Sequence, residues 1–170
     1  MTGVTVVLCP ALDPGAPDGP RRELAGVLAG WGIPVVIPHM QPREGVEATD
    51  ERLGVAAWVA DQAIAITAAQ VEGPLILVSS GEANRAVPAL GFSQRASRRN
   101  VVAYVLVDGP LPDPSRVGTD WPDAPVVHVT SPDADGGPAA AARLRGWSTV
   151  EGDPIATVTA IAKGWPDSMP

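Results

Sequence analysis

Two runs in this chain, Leu75-Ile-Leu-Val78 and Val101-Val-Ala-Tyr-Val-Leu-Val107, are apolar without alternation. A strand with one wet face alternates in polarity, whereas a strand covered on both faces does not. Four more segments read as strands: Val4–Leu8, Pro34–Pro38, Pro125–Thr130 and Ser148–Glu151. Segments of helical period separate them. The first runs from Pro20 to Trp31, with Leu24, Val27 and Leu28 on one face. The second begins at Thr49 or Asp50 and reaches Gln70, with Leu53, Ala57, Ala60 and Ile64 as its apolar stripe. The third starts at Asn84, carries Ala86, Val87 and Leu90, and ends near Arg98. Pro138–Gly146 and Ile155–Lys163 complete the set. Strands alternating with helices predict an α/β protein: a doubly wound, mostly parallel six-stranded sheet between two helical layers. No linker divides the chain, so residues 1–170 read as one domain.

The charge balance removes several function classes. A net charge of −7 leaves no basic face for nucleic acid or an anionic membrane. The only basic cluster, Arg95 with Arg98 and Arg99, falls at a helix end, where cations satisfy the helix dipole. The single cysteine, Cys9, forbids an internal disulfide and fits a reducing compartment. No apolar run approaches the roughly 20 residues of a membrane span, and the N-terminus lacks a signal-peptide pattern. The expected location is cytoplasmic. Two histidines and one cysteine lie scattered, so no metal spacing is present, and no glycine loop for a nucleotide occurs. No cofactor is expected. The sequence is open to a homodimer and does not decide it.

The stretch from Pro74 to Leu90 joins a buried strand, a tight turn (Ser79-Ser-Gly-Glu-Ala83) and a helix. With Asn100-Val-Val-Ala-Tyr-Val-Leu-Val-Asp-Gly-Pro-Leu-Pro112, it resembles small α/β hydrolases that lack a large lid. In that family a G-x-S-x-G elbow lifts a serine nucleophile between strand and helix. A later strand of the family ends in V-D-A-G-L-P. The resemblance implies the sheet order 2-1-3-4-5-6 and a Ser-acid-His triad. Carried over position by position, the elbow frame is Ser79-x-Gly81-x-Ala83, and the nucleophile falls on Gly81. The acid falls on Asp108. The base should follow the sixth strand, where Glu151-Gly-Asp153-Pro154 stands, which puts Asp153 in its place. An aspartate, with a pKa of about 4, is too weak a base to activate a hydroxyl at neutral pH. Hydrolysis by the family's usual chemistry is therefore not expected.

Single residues carry two readings each. Ser79 and Ser80 are turn residues or a shifted nucleophile, although Leu77, Val78 and Glu82 are bulky neighbours for a strained elbow. Glu82 suits a helix N-terminus, or acts as a general acid or base if buried. Asp108 is a relic or a working carboxylate. Asp153 before Pro154 is an N-cap or the second member of a carboxylate pair. His39 opens a loop at the ligand-binding edge of such sheets, while His128 sits within a strand as a core histidine. Cys9 is a buried hydrophobe or a thiol beside the oxyanion loop that the family implies at Cys9–Leu12. Most of the five tryptophans should pack helices. Trp121, Leu111 and Met40 are candidates to line an apolar pocket.

These readings converge on a non-hydrolytic protein that binds a small apolar organic molecule. Asp108, Glu82 and His39 are its candidate catalytic groups. Cys9, Ala11, Leu12, Met40, Ser80, Gly81, Leu111, Trp121 and Asp153 are its candidate ligand contacts. Cyclisation, isomerisation or elimination would suit one acid/base group and a shaped pocket. The rival readings are a weak esterase or thioesterase using Ser79 or Ser80, and a non-catalytic scaffold.

Overall fold

A computed structural model describes residues 3–40 and 51–165 of the chain. Six strands form one parallel sheet: β1 (Thr5–Leu8), β2 (Val35–Val36), β3 (Leu75–Ser80), β4 (Val101–Val107), β5 (Val126–Thr130) and β6 (Ser148–Glu151). Their order is β2-β1-β3-β4-β5-β6, as the resemblance implied. The helices are α1 (Gly19–Gly30), α2 (Glu51–Ala68), α3 (Val87–Ala96), α4 (Gly137–Leu144) and α5 (Pro154–Gly164). A 3-10 turn, Gly81–Ala86, lies between β3 and α3.

Two apolar layers sandwich the sheet. Ile76, Val78, Val105 and Val129 face α1 and α5. Leu75, Leu77, Tyr104 and Leu106 face α3 and Trp58 of α2. The uninterrupted apolar runs of β3 and β4 follow from this double covering. Proline opens α1, α3, α4 and α5 in the first turn, where its missing N–H has no partner to lose. Arg21, at the start of α1, ties two strand ends together. One of its terminal nitrogens donates to Leu8 O at 3.0 Å and to Pro38 O at 2.7 Å.

Two expectations are corrected. The apolar stripe of α2 is not Ala57, Ala60 and Ile64: Ile64 is 66% exposed, while Trp58, Asp61, Gln62 and Ile66 are buried. Trp58 sets the helix rotation, because its Nε1 donates to Pro10 O at 3.0 Å. Leu53 and the start of this helix at Thr49 or Asp50 fall outside the described side chains. The third helix does not begin as an α-helix at Asn84. Pro88 has no N–H to donate back to Asn84, and the turn before it tightens to 3-10 geometry. Four of the five tryptophans pack against the core, and Trp31 is the exception: it is 60% exposed, with the Lys163 ammonium 3.2 Å from its ring centre.

Candidate functional site

β3 runs extended to Ser80 (φ −142°, ψ 151°), and Gly81 then turns the chain at φ +59°. Glycine adopts this conformation without the cost a side chain brings. A Cβ at Gly81 would meet no atom within 4 Å. The apex of the elbow is thus open and carries no functional group.

Behind the apex, polar side chains tie three strand ends together. Ser79 is 2% exposed, and its hydroxyl donates to Asn84 Oδ1 at 2.6 Å. Asn84 Nδ2 donates to the backbone carbonyl of Asp108 at 2.5 Å. Asp108 sits at φ +48°. Its carboxylate accepts the Ser131 N–H at 2.8 Å and the Ser131 hydroxyl at 2.6 Å. Ser79, Asn84, Asp108 and Ser131 therefore link the ends of β3, β4 and β5. Below them, His128 is fully buried on β5, with Nδ1 3.2 Å from Thr130 Oγ1. Burial pushes its pKa below the ordinary histidine value, against an upward pull from the Asp108 carboxylate.

Beside the elbow lies a cleft of about 1110 Å³. Val55 and Val59 of α2 form one wall, and Pro88 and Phe92 of α3 form another. Leu111 and Val117, on the connection after β4, form the third. Arg85, Asp113 and Arg116 give it a polar rim. Arg85 also meets Glu82 at 3.1 Å, which joins the cleft to the elbow. The third wall is anchored from outside. Arg145 donates to Pro112 O at 2.8 Å and stacks its guanidinium 5.0 Å from the Trp147 ring centre.

The predicted residues divide. Ser80, Gly81 and Glu82 stand at the elbow, with Ser80 and Glu82 exposed, and Leu111 lines the cleft. His39 is exposed on the loop three residues past β2, an edge strand that β1 separates from β3. Glu82, Asp108 and His39 do not share one hydrogen-bond network: Glu82 pairs with Arg85 and Asp108 with Ser131. Cys9 is 4% exposed within the core, and burial pushes its thiol up to about 12. It packs as a core residue at the end of β1. Ala11 and Leu12 are half-buried on the loop after β1, and Met40 is half-buried with Sδ 4.0 Å from Gln62 Nε2. Trp121 does not line the cleft. It is 9% exposed and stands edge-on to Tyr104 and Trp147, with ring centres 5.3 and 5.6 Å away. Asp153 is exposed and caps α5 by accepting the Ala156 N–H at 2.7 Å. Asn84, Ser131 and Arg85 were not among the predicted site residues. Asn84 lies in a turn already rich in polar residues, so the sequence alone did not single it out. Among the described residues, no three metal-ligating side chains converge.

No family model matches the sequence, and no curated protein does. Solved structures do match. A putative hydrolase of the α/β superfamily from Xanthomonas campestris pv. campestris superposes with a TM-score of 0.57 at 15% identity, covering 95% of this chain and 94% of that one. The NocB thioesterase domain from the nocardicin cluster gives 0.54 at 16% identity, covering 98% and 90%. Its covalent complex with a fluorophosphonate nocardicin G analogue gives 0.54 at 16%, covering 95% and 89%. At these identities the likeness is one of architecture: this chain has an α/β-hydrolase-like fold.

Proposed function

We propose that the protein binds a small, mostly apolar organic molecule in the cleft between α2, α3 and the connection after β4, and does not hydrolyse it. The observation that carries this reading is the elbow: Gly81 takes a positive φ at the apex, with open space and no nucleophile, while a cleft of about 1110 Å³ stands beside it. Val55, Val59, Phe92 and Leu111 supply apolar contact, and Arg85 supplies one charge at the rim. Any chemistry on such a ligand falls to groups at the mouth. Asp113 lies on the rim itself, and Glu82 adjoins it through its pair with Arg85. Asp108 has both carboxylate oxygens engaged by Ser131, and serves by fixing the strand ends around the elbow. Cyclisation, isomerisation or elimination fits a site that shapes its substrate and offers one acid/base group.

The open cleft argues against a purely structural scaffold, whose pocket would be filled. The esterase reading is narrowed to one residue. Ser79 is buried and bonded to Asn84, which leaves Ser80 as the exposed serine of the turn.

The test combines turnover and binding. Short- and medium-chain esters and thioesters are expected to survive incubation with the protein. The apolar probe anilinonaphthalene sulfonate, and decanoate, are expected to bind, with loss of binding in Ala89→Trp, which fills the cleft from α3. Ester turnover that disappears in Ser80→Ala would overturn the proposal. So would probe binding that Ala89→Trp leaves unchanged.

A further inference from the structure

The two edges of the sheet are built differently. An edge strand exposes free N–H and C=O groups, and proteins usually blunt it with proline, lysine or extreme shortness. β2 is blunted: it is two residues long, between Pro34 and Pro38. β6, Ser148-Thr-Val-Glu151, has neither proline nor lysine. Val150 within it is 40% exposed, and Leu144, at the end of α4, is 90% exposed.

The register of β6 dictates what can pair with it. β6 runs parallel to β5, with His128 opposite Thr149 and Val129 opposite Val150. Gly152 N–H donates to Thr130 O at 3.0 Å. Backbone groups of alternate residues point to opposite sides of a strand. Ser148 and Val150, in phase with Gly152, therefore turn their N–H and C=O toward β5. Thr149 and Glu151 turn theirs outward. A second β6, antiparallel and centred on Val150, places Thr149 of each copy opposite Glu151 of the other. That arrangement closes four backbone hydrogen bonds. Val150 faces its own symmetry mate as a close, non-hydrogen-bonded pair, with Cα atoms about 4.5 Å apart. A two-fold axis normal to the sheet gives this pairing and keeps each side-chain face continuous.

The charges match the same register. Arg143 Nε donates to Thr149 Oγ1 at 3.0 Å, which parks the guanidinium at the outer edge beside Thr149. Glu151 of the second copy comes to that position. Among the described residues, Arg143 and Glu151 form no ion pair within their own subunit. The two-fold axis makes the Arg143–Glu151 pair twice.

We propose that the protein forms a two-fold dimer through β6, joining two six-stranded sheets into one, with Arg143 of each subunit paired to Glu151 of the other. This surface lies apart from the cleft and does not depend on what the cleft binds.

Sedimentation and light scattering of the full chain at micromolar concentrations test it. The expected mass is twice 17.4 kDa. Glu151→Arg sets like charges opposite each other and is expected to weaken the dimer at least about tenfold. The swap Arg143→Glu with Glu151→Arg is expected to restore it. Glu151→Pro removes an outward N–H while sparing the bonds to β5, and is expected to give a monomer with native circular dichroism. A monomeric wild type overturns the proposal. So does a dimer that Glu151→Arg and Glu151→Pro leave unchanged, or a charge swap that fails to rescue.

Discussion

Gly109 lies against Gly81: a Cβ on Gly109 would stand 2.5 Å from Gly81 Cα and 2.9 Å from Gly81 O. The ends of β4 and β3 thus meet glycine on glycine, and both residues have positive φ, +67° and +59°. The two positions differ in what a side chain would cost. At Gly109 it meets backbone that cannot move without shifting the elbow. At Gly81 it meets open space. Gly109→Ala is expected to destabilise by roughly 2–4 kcal/mol, from strain and overpacking together. Gly81→Ala is expected to cost about 1–2 kcal/mol, the left-handed penalty alone. Urea unfolding midpoints would rank them. Gly81→Ser should likewise fold, and should gain no esterase activity, because His128 is fully buried within β5 against Thr130 and His39 is exposed on the loop after β2.

Two buried or paired groups set separate acid limits on stability. Burial holds His128 neutral in the folded state, with its pKa below the ordinary value, while the unfolded chain titrates near 6.5. The unfolded state therefore binds the extra proton first, and stability falls as pH drops below about 6.5. The second group is Asp18. Its hydrogen bond to Arg21, helped by Arg22, lowers its pKa from 3.8 to about 2. That contribution is present above pH 3.8 and is lost as pH falls toward 2. Unfolding midpoints measured from pH 8 to pH 2 should show both phases. His128→Gln should flatten the upper one and leave the lower one in place. An unchanged slope between pH 6.5 and pH 5 in His128→Gln would remove His128 from this account.

Strand identity was legible because a doubly covered strand must be apolar throughout, as β3 and β4 are. β2 came out shorter than its five-residue reading, since Pro34 and Pro38 bound the ladder at both ends. The rotation of α2 was not legible. Alanines occupy so many of its positions that periodicity pointed to the wrong face, and one long-range bond from Trp58 to Pro10 decides it. The N-cap alternative for Asp153 was readable from the following proline, because capping is local. The network from Ser79 through Asn84 and Asp108 to Ser131 spans three strand ends. The cleft joins two helices and a loop far apart in sequence. Neither leaves a local pattern.

Cys9 offers a check on the boundary between core and site. Its thiol is buried, and its pKa is pushed up to about 12 by desolvation, with a smaller lowering from Arg21. The thiolate is the reactive form, so the folded protein should hardly react with iodoacetamide at pH 8. One thiol should react promptly once guanidinium unfolds the chain. Fast native-state labelling, blocked by a cleft ligand, would return Cys9 to the list of ligand contacts.

Gly91 of α3 touches the Tyr104 hydroxyl so closely that any Cβ there would collide with it. That hydroxyl donates to Asp123 Oδ1 at 2.6 Å, and Tyr104 is itself fully buried, so the ring has nowhere to retreat. In an open helix interior, Gly→Ala stabilises by about 0.5–1 kcal/mol. Gly26 of α1 is such a place, with no atom within 4 Å of a built Cβ, and Gly26→Ala should be mildly stabilising. At Gly91 the sign should reverse, with a loss of roughly 1–3 kcal/mol from overpacking. Tyr104→Phe removes the colliding oxygen at the cost of the Asp123 bond, about 1 kcal/mol. The double variant Gly91→Ala with Tyr104→Phe should therefore be more stable than the sum of the single changes predicts, with a coupling of about 1 kcal/mol or more. A coupling near zero would mean that α3 shifts away from β4 to admit the methyl group, and that the α3 wall of the cleft is softer than the contact at Gly91 implies.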